Sequence, residues 1–169
     1  MTSEHEPAER LIGLSISNSP DLARLGYGAE HLHETMLNVA RALLRLPAQM
    51  PERARVVSLA YGGDLRPGGF TRALFELARA EAQESWTGRL YSFMAWPHYL
   101  SLDKAEEAQL INTCRFVRVT PADAGIEGVD AMLPPQRLQD IPPEYLAARC
   151  LSEMRRLMTV GGAAIVSDV

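Results

Sequence analysis

The chain has 169 residues, with 17 Lys and Arg against 21 Asp and Glu and a formal net charge of −4, which fits one domain and offers no cationic cluster for a phosphate backbone. Hydrophobic residues at 47% and charged residues at 22% supply a core and exclude wholesale disorder. No apolar run approaches the roughly 18 residues of a membrane span, and the acidic N-terminus lacks the order of a signal peptide. The expectation is a soluble cytoplasmic protein, one domain over residues 1–169, with about ten flexible N-terminal residues and no nucleic-acid or membrane partner.

Residues 11–17 form a short apolar run that predicts a first strand, ended by Asn18-Ser19-Pro20. After a loop holding Gly26 and Gly28, apolar residues recur at Leu32, Met36, Val39, Ala40, Leu43 and Leu44, the spacing of a helix, with Pro47 just beyond its end. Residues 55–61 predict a second strand, halted by Gly62-Gly63, and Phe70, Ala73, Leu74, Leu77 and Ala78 mark one face of a second helix. Residues 90–95 read as a third strand closed by Trp96-Pro97, residues 104–111 as a short helix, and residues 116–119 as a fourth strand. Residues 122–143, with Gly125, Gly128 and Pro134-Pro135, read mostly as loop. Pro142-Pro143 can seat the first turn of a helix, because proline there lacks only an amide that would be unpaired anyway. Leu146, Cys150, Leu151, Met154, Leu157 and Met158 give that helix its apolar face; Gly161-Gly162 end it, and residues 163–166 begin a fifth strand.

Strands alternating with helices imply the α/β class: a parallel sheet of about five strands in the middle of three layers. In such sheets ligands bind at the carboxyl ends of the strands, where the strand order reverses. The chain stops three residues after the fifth strand, so a domain truncated at its C-terminus is one expectation. In a complete chain the uncovered face of that strand would instead call for a second subunit, making a homo-oligomer, or for a swapped segment.

The strongest local signal is residues 61–71, which follow a strand and open a helix. Gly62, Gly63, Gly68 and Gly69 let backbone approach a ligand, and the amides at the helix start favour an anion. Thr71 could cap the helix or touch a phosphate, and Arg66 could neutralise one; the competing reading is a tight turn with no ligand. A phosphate-binding P-loop would need Gly-Lys-Ser/Thr at its end, and the dinucleotide fingerprint belongs after the first strand, so neither motif is present.

Ser15, Ser17, Asn18 and Ser19 offer hydroxyl and amide groups suited to a ribose or phosphate, and equally to capping a turn. Trp96 could stack on a base or simply pack at the core's edge. His31 and His33, two apart, fall on different faces of a helix, so exposed histidines are expected rather than a metal site. Cys114 and Cys150 stand far apart and suggest neither a disulfide framework nor a zinc ribbon. No metal and no resident cofactor are expected.

The order strand, Ser-rich loop, helix, strand, Gly-Gly loop, helix resembles the SLOG superfamily, the Rossmann-like group uniting Smf/DprA with the LOG phosphoribohydrolases. The residues that carry the resemblance are 13–17 with Ser19-Pro20-Asp21-Leu22, and 60–66 leading into Gly69-Phe70-Thr71 and Leu74-Phe75-Glu76. They look closest to the bacterial branch linked to nucleotide-dependent defence systems. The resemblance implies binding of a nucleotide-derived ligand through Ser15, Ser17, Asn18, Ser19, Gly62, Gly63, Asp64, Arg66, Gly68, Gly69, Phe70, Thr71 and Trp96. Its alternative is hydrolysis of the N-glycosidic bond of a nucleoside monophosphate. The hydrolases' Pro-Gly-Gly-x-Gly-Thr-x-x-Glu motif is echoed by residues 67–71 with Glu76, but the glycine before Thr71 is missing and Glu76 stands one place too far. Catalysis is therefore not carried over to Glu76, and Asp64, the one acid in the Gly-rich loop, is the catalytic candidate by position. With no second acid or positioned base in view, ligand binding is favoured over hydrolysis, and a domain that has lost its ligand is the third reading.

Overall fold

The structure is a computed structural model and describes residues 10–15, 20–49, 57–63, 69–80, 89–135, 141–160 and 165–167. Five strands, β1 (Arg10–Ser15), β2 (Val57–Gly62), β3 (Leu90–Ala95), β4 (Cys114–Val119) and β5 (Ile165–Ser167), form one sheet in the order β4-β3-β2-β1-β5. Every pairing in it is parallel. The helices are α1 (Pro20–Arg24), α2 (Ala29–Gln49), α3 (Phe70–Ala80), α4 (Lys104–Leu110) and α5 (Pro143–Val160).

The register decides which side chains share a face. Leu14, Tyr61, Ser92 and Phe116 stand in line across β1 to β4, and parallel neighbours in register point the same way. Phe70 packs edge-on to Tyr61 at 4.8 Å, and Phe75 meets Phe116 at 6.0 Å, so α3 covers this face, with α2 beside it. The other face, which carries Gly62 and Phe93, lies under α5, a helix that contacts β1, β2, β3 and β4 in turn. This is the three-layer α/β architecture the alternation of elements implies. Covering on both faces explains why β3 reads as an almost unbroken buried run.

Trp96, Phe70, Leu14, Leu59 and Leu74 are among the largest fully buried side chains. Each contributes roughly 1.5–3 kcal/mol for leaving water. Local signals set several boundaries. The Asp103 carboxylate accepts from the Ala105 amide at 3.1 Å and starts α4. Pro143 occupies the first position of α5, where its missing amide does no harm.

Residues 120–134 contain no helix or strand, as their Gly and Pro content predicts, yet they are tied down. Asp123 accepts from the Thr120 amide and hydroxyl at 2.8 and 2.7 Å. Arg149 donates to the Ala124 carbonyl at 3.0 Å, and Tyr99 donates to the Ala131 carbonyl at 2.7 Å.

Two expectations need correction. Residues 20–24 form the short helix α1, where the Ser-Pro-Asp sequence had suggested only a turn. Helix α2 runs past Pro47 to Gln49; a proline in a last turn forfeits a single intrahelical bond, and nearby the carbonyl of Leu44 accepts from buried Arg89 at 2.9 Å. β5 is described from Ile165 to Ser167, and residues 163 and 164, where that strand was expected to begin, lie outside the described residues. The expected flexible N-terminus and the Gly161-Gly162 stop lie outside the described residues.

Candidate functional site

The connections β1–β2–β3–β4 step outward in one direction, and the chain then returns to place β5 on the opposite side of β1. The order reverses at β1, and ligands in parallel sheets bind beside the carboxyl ends at such a point. A cavity of about 290 Å³ opens there. From the sheet it is lined by Leu14, Ser15, Tyr61 and Gly62, and from α5 by Leu151, Met154, Arg155, Met158 and Thr159.

The two glycines that end β2 have different surroundings. A Cβ on Gly62 would stand 2.6 Å from the Cε of Met154 and 3.3 Å from the Sδ atoms of Met154 and Met158. Gly62 therefore leaves room for the ends of the Met154 and Met158 side chains to pack on the strand. Gly63 has φ of +83°, and among the described residues nothing lies within 4 Å of where a Cβ would stand. That backbone conformation suits glycine and leaves the strand's tip open.

On the opposite face the chain re-emerges at Gly69, whose carbonyl accepts from the Ala73 amide at 3.3 Å and closes the first turn of α3. The amides ahead of Ala73 have no partner within the helix. Thr71 is 1% exposed, and among the described residues its Oγ1 has no hydrogen-bond partner, an arrangement that is rare without a reason. Phe70 is buried between Tyr61 and His33, with ring centroids 4.8 and 5.8 Å away, so its ring anchors the start of the helix.

Of the residues singled out in the sequence, Ser15, Gly62 and Gly63 come together at the tips of β1 and β2, while Gly69, Phe70 and Thr71 lie at the start of α3. Ser17, Asn18, Ser19, Asp64, Arg66 and Gly68 lie outside the described residues. Trp96 is corrected: at 0% exposed, with its indole N–H donated to the Leu133 carbonyl at 3.2 Å, it has no face to offer a base. His31 is exposed, but His33 is half-buried against Phe70.

The α5 residues of the cavity were missed as site residues. Leu151, Met154 and Met158 read as an ordinary apolar face, and the signal that could have found them was Arg155 and Thr159 continuing the i, i+4 stripe from Leu151.

Away from the cavity lining, two cysteines and a tyrosine are buried. Burial, then the Asp123 carboxylate, raises the pKa of Cys150, and burial pushes Cys114 up to about 12. Both remain thiols at neutral pH and are poor nucleophiles. Tyr99 is pushed up to about 12, mainly by burial. Among the described residues no three His, Cys, Asp or Glu side chains gather as metal ligands, and no helix is long and apolar enough to cross a membrane. A second depression, about 340 Å³, lies between α3 and α4 beside the Arg72–Glu106 ion pair; no strand residue lines it.

The sequence profile of a family described as SLOG cluster2 matches residues 7–166. No curated protein and no solved structure matches the chain.

Proposed function

The chain belongs to the SLOG cluster2 family, and from that premise we propose that it binds a nucleotide-derived small molecule across the carboxyl tips of β1 and β2. One observation carries this reading: Gly63, left-handed and unobstructed, stands beside a cavity whose sheet side ends in the Ser15 hydroxyl. A phosphate would rest on the backbone around Gly63 and on the first-turn amides of α3, where the field of the helix favours an anion. The unpartnered Thr71 hydroxyl at that turn supports the same assignment. Ser15 would meet the ribose.

Binding is favoured over glycosidic hydrolysis on a further observation. Breaking an N-glycosidic bond builds oxocarbenium-like charge that needs a carboxylate to stabilise it. The described lining of the cavity offers hydroxyls and one guanidinium but no carboxylate. Hydrolysis would therefore need a carboxylate from outside the described residues, with Asp64 the candidate by position.

The test is mass spectrometry of the small molecules released when the purified protein is denatured. A nucleotide derivative at near-stoichiometric yield is the expected result. If nothing is released and calorimetry detects no binding of AMP or ADP-ribose, the reading fails. Release of free adenine from AMP, abolished by Asp64→Asn, would turn it into the hydrolase reading.

A further inference from the structure

We infer that the cavity beneath the second half of α5 is the subsite for the base of that nucleotide, with Met154 and Met158 as its wall and Arg155 reading the base's edge. The inference rests on the nucleotide reading above and assigns the part of the ligand that the Gly-rich loop does not.

Size is the first argument. At about 290 Å³ the cavity falls just short of the roughly 300–1,000 Å³ that encloses a drug-sized ligand. It can take a base with part of a ribose, and it is too small for a dinucleotide. Chemistry is the second. Leu14, Leu151, Met154 and Met158 give the cavity apolar walls on both the sheet and the helix side, and Ser15, Arg155 and Thr159 set polar groups among them. A base makes the same mixed demand, with flat apolar faces and a rim of hydrogen-bonding atoms. Thioethers are polarizable, pack well on aromatic rings and adapt to their outline.

Arg155 is the third argument. Residues 151, 155 and 159 succeed one another at i, i+4 along one edge of the cavity. Arg156 takes the carboxylate of Glu153, with bonds of 2.8 and 2.6 Å, whereas no carboxylate is bonded to Arg155 among the described residues. Its exposed guanidinium carries five donors and no acceptor, which matches the acceptor atoms on the rim of a base.

The test uses the full chain labelled with 13C at the methionine methyl groups. Its seven methionines give few signals, and Met154→Leu and Met158→Leu assign two of them. Each of the four nucleoside 5′-monophosphates is titrated beside ribose 5-phosphate, with affinities followed by calorimetry. A nucleotide that binds is expected to move the Met154 and Met158 methyl signals upfield by the ring current of its base, and ribose 5-phosphate is expected to leave them in place. Arg155→Ala is expected to weaken the nucleotide at least tenfold and ribose 5-phosphate not at all.

A nucleotide that binds without moving either methyl overturns this inference and leaves the nucleotide reading standing. So does an equal loss of both ligands in Arg155→Ala. If no monophosphate and no ribose 5-phosphate binds, the inference falls together with the reading beneath it.

Discussion

At the tip of β2 two adjacent glycines serve opposite sides of the sheet. Gly62 faces α5, where Met154 and Met158 close over its α-carbon; Gly63 turns away with φ of +83° into open space. The same residue type answers two separate demands, close packing of a helix on a strand and a left-handed turn that leaves backbone exposed. The packed side holds the sheet to its last helix, and the open side gives the Gly-rich loop its direction. Sequence alone shows two glycines in a row and cannot divide the work between them.

Substitutions that strike one side at a time sharpen this division. The largest loss of stability is expected from Met154→Ala. Removing a 4% exposed side chain from the contact with Gly62 should cost about 2–5 kcal/mol, transfer and cavity terms together. Urea unfolding measures it, and a loss under about 1 kcal/mol would mean α5 is only loosely packed here.

Gly63→Val comes next, at about 1–3 kcal/mol, for holding a β-branched residue in a left-handed conformation. Gly62→Ala should be milder, below about 1.5 kcal/mol, because the atom it meets is the end of a flexible methionine, which can swing aside. A greater loss in Gly62→Ala than in Gly63→Val would show that Met154 cannot swing aside and that the packing at Gly62 is tighter than its flexible neighbour implies.

The interior can be probed by pH as well. Cys114 is raised from 9.0 to about 12 and Tyr99 from 10.0 to about 12. Over that interval the unfolded chain releases protons that the folded chain keeps, so stability falls as pH rises. The contribution is whole below pH 9.0 and is lost through about pH 12. Chemical unfolding at pH 8, 10 and 11.5 should therefore show a steady decline, and little change between pH 6 and 8 from these groups.

The periodicity of the apolar residues carried the fold a long way. Four helical and five extended stretches were readable from spacing alone because strands buried on both faces and helices buried on one leave different patterns. α1 was hidden because five residues are too short for a period to show, and because Pro20-Asp21 suits a turn as well as a helix start. Pro47 misled because a proline stops a helix less surely in its last turn than in its middle.

At the site, Ser15, Gly62 and Gly63 were legible as a strand-end signal. Trp96 was chosen for its aromatic surface and Phe70 as part of the Gly-rich segment that carries the resemblance, and both rings are used by the core. The α5 wall was not legible, since a methionine lining a cavity and a methionine filling a core have the same spacing along a helix. Only the tertiary arrangement, which lays α5 across the tips of β1 and β2, separates the two.

The most direct test of the central claim is calorimetry of the released nucleotide, or of AMP, on the unaltered chain, Gly62→Ala and Gly63→Val, each first shown to be folded by circular dichroism. A branched side chain at Gly63 should block the backbone from the ligand and cut affinity at least tenfold, while Gly62→Ala should stay much nearer the unaltered chain. A folded Gly63→Val that binds with undiminished affinity would contradict the account, because the open left-handed turn would then serve only the path of the chain.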